Sequence, residues 1–135
     1  GGVPLFGLPG NPVSVMVSFE QFARPYLLKM QGYTNIFRPV MKAVSASSIK
    51  KQVGLKHFLR VVVSYENGRY MAHLTGEQGS GILKSMAMAN ALMVIPEQKA
   101  SVKKGEEVLV QLLDEFAAGG ATNHPGLVFG QAAQV

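Results

Sequence analysis

The sequence predicts a mainly β protein, in which a small barrel-like unit of roughly five or six short strands follows one strand and one helix. The chain has 135 residues, of which 47% are hydrophobic and 16% charged, and this apolar content suffices for one packed domain. Short apolar runs separated by turn residues occupy positions 36–113. Helical spacing of apolar residues, by contrast, extends over one long stretch, positions 13–30.

The first predicted element is a buried strand at residues 3–8, a short apolar run bounded by glycine and proline. Pro9, Gly10, Asn11 and Pro12 then form a predicted turn, because proline, glycine and asparagine interrupt regular structure. Asn11 suits the N-cap of a helix, and Pro12 suits its first position, where a backbone N–H would lack a partner. This order is typical of an α/β domain, but one strand and one helix are too few to form one.

The helix is predicted at residues 13–30, where apolar side chains recur at helical spacing on one face, namely Met16, Phe19, Ala23, Leu27 and Met30. Pro25 lies inside this pattern and removes one helical hydrogen bond, so we expect a kink or a local loosening there. Gly32 is a natural C-terminal stop.

The β unit is predicted from apolar runs and turn signals. Asn67-Gly68 is a strong hairpin signal, joining strands at residues 56–65 and 69–74. Further strands are predicted at residues 37–45, 91–95 and 107–113, with a loop at 76–81 and one or two helical turns at 82–90. Beyond Asp114 the chain is rich in glycine and alanine, which predicts a poorly ordered tail.

Composition and charge argue against several classes of protein. The net charge is +5, but the lysines and arginines are scattered and form no stripe with interleaved aromatics, which argues against nucleic-acid binding. The absence of cysteine excludes a disulfide framework and fits a reducing cytoplasm. A signal peptide and a membrane span are not expected, because the sequence has no apolar run of the necessary length. The chain does not begin with methionine, so we expect a piece of a longer protein.

Three features could hold an anion, and each has a simpler structural interpretation. The turn before the helix could present backbone N–H groups, or could be only a tight connection. Arg60 stands on one face of a strand and could clamp an oxyanion, or could be an ordinary surface arginine. The glycine-rich loop with Ser80 could form an anion-binding bend, or could simply lead into the helical turns. His57 has the same two interpretations, and no arrangement of catalytic acid and base is evident.

Three stretches together resemble a known family: GLPGNPVSVMVSFEQFARPYLLKMQG (residues 7–32), HFLRV (57–61) and LTGEQGSGILKSMAMANALMVIP (74–96). In order and spacing they resemble the C-terminal part of molybdopterin molybdenumtransferase, the MoeA family, which has relatives in gephyrin-like proteins. The resemblance covers about residues 3–114. It implies an enzyme that inserts molybdate into adenylylated molybdopterin in a magnesium-dependent step, with release of AMP, and that acts as a cytoplasmic homodimer.

The resemblance also implies a domain organisation. Residues 1–33 would close a truncated α/β domain of the molybdopterin-binding type, residues 34–114 would form a terminal β domain of the β-clip kind, and residues 115–135 would be a tail. The family's magnesium ligands and substrate-binding lysines would lie upstream, so the fragment alone is expected to be inactive.

The residues expected in the molybdate and molybdopterin cleft are carried over from the family motifs; they are Pro9, Gly10, Asn11, Pro12, Arg60 and Ser80. The alternative is a non-catalytic β module, in which an unpaired sheet edge binds a partner peptide. The apolar face of the helix is expected to self-associate or to dock on the β domain.

Overall fold

A computed structural model of the chain describes residues 2–76 and 82–113. One helical stretch comes first, made of α1 (Pro12–Ser18), a π-helical turn (Phe19–Ala23) and α2 (Arg24–Met30). Seven strands and a third helix follow: β1 (Val40–Ser45), β2 (Ile49–Lys50), β3 (His57–Glu66), β4 (Arg69–Leu74), α3 (Ile82–Met88), β5 (Ala91–Ile95), β6 (Ser101–Val102) and β7 (Glu107–Leu112). The predicted mainly β class is confirmed.

Five of the strands close into a barrel in the order β1-β4-β3-β5-β7, and β2 and β6 form a separate two-stranded ribbon. The β3–β4 hairpin pairs residues 61–66 with 69–74 around Asn67-Gly68, as the sequence predicts. β1 completes the ring by pairing antiparallel with β7 on one side and parallel with β4 on the other. The parallel contact is short and consists of the pairs Val44 with Met71 and Ser45 with Ala72.

The barrel interior is filled by alternating side chains of its strands. On β3, Val61 and Val63 point into the core, whereas Arg60 and Val62 point outward. β5 differs, because all five of its residues are buried and both of its faces are therefore covered. The core consists of Met41, Ala43, Val61, Val63, Ala72, Ala91, Met93, Ile95, Val102, Val108, Val110 and Leu112.

The long helix begins and ends as its sequence predicts. The Oδ1 of Asn11 accepts hydrogen bonds from the backbone N–H groups of Val13 and Ser14, at 3.0 and 3.4 Å. At the other end Gly32 has a φ of +84°, and the N–H of Tyr33 donates to the Leu28 carbonyl at 3.0 Å. That bond and the left-handed glycine form the usual C-terminal motif of a helix.

The disturbance expected at Pro25 takes the form of the π-helical turn. Pro25 has no N–H to donate, and in a regular α-helix its ring would press on the carbonyl four residues earlier. Just before it, the N–H of Arg24 donates to the Phe19 carbonyl five residues back, which widens the helix by one residue. The helix therefore accommodates the proline without a break.

The prediction of a strand at residues 3–8 is wrong. These residues are exposed and form no strand, and Phe6 makes an edge-to-face contact with Tyr26 at a ring distance of 5.4 Å. A strand needs a neighbour to satisfy its backbone groups, and the barrel strands already pair with one another on both sides. The sequence analysis also missed β2 and β6, which are only two residues long.

Two predictions lie outside the described residues: the loop that contains Ser80, and the tail at residues 115–135. β1 begins at Val40 rather than at residue 37, since Pro39 precedes it and cannot donate a ladder hydrogen bond. The barrel lies within the predicted β domain at 34–114, and those domain boundaries stay predictions. None of the helices in the described ranges is long and apolar enough to cross a membrane.

Replacing Gly68 by alanine should destabilise the barrel. Asn67 and Gly68 have positive φ values of 49° and 82°, and a Cβ at Gly68 would strain the backbone by about 1 kcal/mol. Urea unfolding should show this loss. Gly7→Ala is the matched control, because a Cβ there meets no atom within 4 Å and φ is not positive. Equal stability of the two variants would contradict this account.

Acid should weaken the turn that leads into β7. The backbone N–H of Lys103 donates to the Glu106 carboxylate at 2.7 Å and the Lys99 ammonium contacts it, and together they lower the pKa of Glu106. A lowered pKa means that the stabilisation is complete above the ordinary pKa of a glutamate and is lost as pH falls through the lowered value.

Glu106→Gln should therefore lower Tm at pH 7, and the difference from the unaltered chain should shrink as the pH falls from about 5 to about 2. Thermal melts across this pH range measure the effect. The exposed Glu97, changed to Gln, serves as the control. A difference that persists unchanged at pH 3 would show that the carboxylate charge is not involved.

Candidate functional site

The helix is held against the barrel by a partly buried ion pair. Glu20, in the π-helical turn, is 8% exposed, and Arg38, two residues before β1, donates two hydrogen bonds to its carboxylate at 2.9 and 3.1 Å. Arg24 lies 3.8 Å from the same carboxylate and also donates to the Ile36 carbonyl at 3.1 Å. The connection between helix and barrel is thus folded back on the helix.

A second tie joins the same turn to β7. The Nε2 of Gln21 donates to the Oε1 of Gln111 at 2.5 Å, and Gln111 is buried. The helix therefore meets the barrel with a polar side, although the sequence analysis favoured its apolar stripe for packing. Most of that stripe is exposed, including Met16 at 46% and Met30 at 63%.

A cleft of about 370 Å³ lies between the start of this helix and the start of β3. It is lined by Val13, Ser14, Val17, Ser18, Lys56, His57 and Phe58. Two hydroxyls, an ammonium group and an imidazole thus share one opening with three apolar side chains. Hydroxyls and an ammonium are the donors that hold a small oxyanion, so the chemistry of the cleft favours an anionic ligand.

No residue of the proline-rich turn, Pro9 to Pro12, lines this cleft; Val13 and Ser14, the helical residues that follow it, do. Asn11 caps the helix by accepting from the N–H groups of Val13 and Ser14, so its side chain already occupies two backbone donors that an anion would otherwise meet. Pro9, Gly10 and Pro12 are exposed. The helix therefore contributes side chains to the cleft rather than free backbone N–H groups. The Ser14 hydroxyl is the one nearest to the turn in sequence.

Arg60 is not the surface arginine that the simpler interpretation expected. It points outward from the barrel wall, yet it is only 2% exposed. Its carbonyl accepts from the N–H and the Oγ1 of Thr75, at 3.2 and 3.3 Å. Burial lowers the pKa of its guanidinium, which nonetheless stays charged at neutral pH because an arginine begins so far above it.

None of the predicted site residues is among the described residues that line the cleft, and their grouping stays a prediction. Arg60 stands two residues beyond Phe58 on the same face of β3, and Phe58 lines the cleft. Arg60 itself is not among the described residues that line the opening. Ser80 is not described, so its approach to Arg60 stays a prediction. Thr75, however, lies just before the loop that carries Ser80, and it is fixed on Arg60.

The sequence analysis missed three cleft residues, Ser14, Ser18 and Lys56, and favoured a core or surface position for His57 over a role as a ligand. The available signal was position: Ser14 follows the proline-rich turn, and Lys56 directly precedes the HFLRV stretch. No local pattern shows that these two places face each other. That information lies in the tertiary contact between the helix and β3.

The described residues do not form a magnesium site of their own. Within residues 2–76 and 82–113 no group of three or more histidine, aspartate or glutamate side chains could hold a metal ion. The magnesium requirement implied by the resemblance stays a prediction for the parent protein.

Comparisons with known proteins agree with this architecture. Residues 42–113 match the MoeA C-terminal region (domain IV). Molybdopterin molybdenumtransferase 2 of Mycobacterium tuberculosis is 37% identical over 109 residues, which are 81% of this chain and 26% of that protein. The molybdopterin molybdenumtransferase of Haemophilus influenzae is 33% identical over 107 residues, which are 78% of this chain and 26% of that protein.

A solved structure supports the same assignment. The crystal structure of the molybdopterin biosynthesis MoeA protein from Pyrococcus horikoshii OT3 matches with a TM-score of 0.63 and 38% identity, and the match covers 76% of this chain and 26% of that one. The family match spans more than half of the chain, so the chain belongs to the MoeA C-terminal region family. It spans about a quarter of the length of the curated relatives it matches.

The ion pair between Glu20 and Arg38 should contribute measurably to stability. A double-mutant cycle of Glu20→Gln and Arg38→Gln should give a coupling energy of about 1–2 kcal/mol, because the two hydrogen bonds are charged and partly buried. The exposed pair Lys42–Glu107 is the matched control: it is also close, at 2.7 Å, but its side chains are 70% and 61% exposed. Its coupling should stay below about 0.5 kcal/mol. Equal coupling energies would contradict the assigned role of burial.

Proposed function

We propose that this chain supplies part of the oxyanion-binding side of a molybdenum-inserting transferase. The reaction would insert molybdate into adenylylated molybdopterin and release AMP. The observation that carries the proposal is the cleft between the helix start and β3, where Ser14, Lys56 and His57 meet beside the proline-rich turn. Membership of the MoeA C-terminal region family supports it, since relatives at 33–37% identity are molybdopterin molybdenumtransferases.

The chain's own residues would act by position and charge. The Lys56 ammonium and the Ser14 and Ser18 hydroxyls can donate to the oxygens of a tetrahedral dianion. The guanidinium of Arg60, two residues beyond Phe58 on the same face of β3, adds a fixed positive charge in a low-dielectric environment. Such preorganised donors stabilise a bound oxyanion and the negative charge that develops as the adenylate leaves.

The whole reaction would need more protein than this chain. The described part offers neither a metal-binding cluster nor an evident acid–base pair, and the curated relatives are about four times as long as the matched segment. We therefore propose that the parent protein, as a homodimer, supplies the magnesium ligands and most of the pterin pocket. The chain alone would bind molybdate weakly and would not turn over.

The alternative, a module that accepts a partner strand, is less well supported. All five barrel strands have a neighbour on each side, so no barrel strand has an edge that is open along its whole length. Residues 62–66 of β3 pair with β4 alone, but the Asn90 amide already occupies the backbone of Val63 there. The two-residue strands of the β2–β6 ribbon have unpaired outer edges within the described structure. Two residues provide too few backbone hydrogen bonds for a stable peptide complex.

Calorimetric titration of the chain with molybdate should detect binding, with sulfate as a competing tetrahedral dianion. Lys56→Gln should weaken binding roughly tenfold, because a charged donor in the cleft is lost. Arg60→Gln should also weaken it, since the fixed positive charge beside the cleft is lost. Lys29→Gln, at the exposed far end of the same helix, should bind as the unaltered chain does.

Two results would refute the oxyanion site on this chain. One is the absence of molybdate binding by the folded, unaltered chain. The other is an equal loss of affinity in Lys56→Gln and Lys29→Gln, which would indicate an effect of net charge rather than of the cleft.

A further inference from the structure

Helix α3 is tied to one short stretch of β3 on both sides. On the side that precedes it, Thr75 donates its N–H and its hydroxyl to the Arg60 carbonyl, at 3.2 and 3.3 Å. On the side that follows it, the N–H of Asn90 donates to the Val61 carbonyl at 3.2 Å. The described residues before and after α3, Thr75 and Asn90, therefore bond to consecutive residues of β3, and α3 itself contacts β3.

The Asn90 side chain makes two further hydrogen bonds to the backbone of β3. Its Oδ1 accepts from the Val63 N–H at 2.7 Å, and its Nδ2 donates to the Val63 carbonyl at 3.0 Å. The amide thus pairs with one residue of β3 as a neighbouring strand would. Its own carbonyl accepts from the N–H of Leu113, just after β7, at 2.9 Å, so Asn90 joins two strands at the point where α3 ends.

Arg60 takes part in one of these contacts through its carbonyl. Its side chain points away from the barrel core and is nonetheless only 2% exposed. An outward-facing guanidinium can be so deeply buried only if other residues cover the barrel wall, and α3 is one of the elements that contact β3. Long arginine side chains have many rotamers, so a single orientation depends on this cover.

We propose that Asn90 and Thr75 are positioning residues for Arg60: they hold α3 on β3 so that the guanidinium stays buried in one orientation. Neither residue needs to touch the anion. The contribution of the Arg60 charge to oxyanion binding rests on the proposed function, but the orientation of its side chain does not. The two parts can therefore be tested separately.

The orientation is tested without any ligand by NMR of the arginine Nε–H groups. The Arg60 signal is identified by its absence in Arg60→Lys, and its exchange with solvent is measured. Thr75→Val removes only the hydroxyl and Asn90→Leu removes the paired amide, and each should speed exchange at Arg60 about tenfold by easing local opening. Thr75→Ser keeps the hydroxyl and should restore slow exchange.

Gly68→Ala is the control for general instability, because it strains the same hairpin at its far turn and leaves both ties intact. It should lower the unfolding midpoint without exposing Arg60. Unchanged exchange at Arg60 in folded Thr75→Val would overturn the positioning role, and so would equally fast exchange in Gly68→Ala. Thr75→Val is nearly isosteric, so it keeps the proposal falsifiable should Asn90→Leu fail to fold.

Molybdate titration of the same variants then links position to function. Thr75→Val and Asn90→Leu should bind about three- to tenfold more weakly, and Thr75→Ser should bind normally. Fast exchange at Arg60 with unchanged affinity would overturn the link to the oxyanion site. If the unaltered chain binds no molybdate, the proposed function fails, whereas the exchange data still decide whether Asn90 and Thr75 position Arg60.

Discussion

The closure of the five-stranded barrel by β1 is the constraint on which the rest of the structure depends. β1 is the only barrel strand that lies before the β2–β6 ribbon in sequence, and it must reach both β4 and β7 to complete the ring. Its position fixes Arg38 two residues earlier, and Arg38 in turn fixes Glu20 on the helix. The helix start then faces β3, which creates the cleft. The cleft beside β3 thus depends on the pairing of β1 with β4 and β7 elsewhere in the barrel.

Much of the fold could be predicted because its signals are local. Asn67-Gly68 defines the hairpin and its register, an apolar run defines β5, and Asn11, Pro12 and Gly32 mark the two ends of the helix. The errors arose where structure depends on distant partners. Residues 3–8 have the composition of a strand but no described neighbour to pair with. The helix likewise meets the barrel through Glu20 and Gln21 instead of its apolar stripe, because Arg38 and Gln111 provide specific polar partners.

The site was less predictable than the fold, for a related reason. Single donors can be nominated from sequence, as Arg60 was, but burial depends on what covers a strand. Alternation along β3 correctly places Arg60 opposite Val61 and does not reveal that α3 contacts that wall. Ser14 and Lys56 lie 42 positions apart in the sequence, and only the fold brings them to the same cleft. The family motifs adjoin the cleft residues in sequence, but they do not specify the side chains that line the cleft.

The π-helical turn has a consequence for how this helix tolerates changes in length. One residue of an α-helix corresponds to a rotation of about 100°. The widened turn therefore rotates the side chains after Ala23 by about that amount, compared with an uninterrupted α-helix of the same sequence. Deleting one residue between Phe19 and Ala23 would remove the extra residue together with the widened turn, so the two rotations cancel and Arg24 would keep its direction toward Ile36. An alignment gap at this point would therefore mark the loss of the widened turn with the side chains of α2 still in register, rather than a shorter loop.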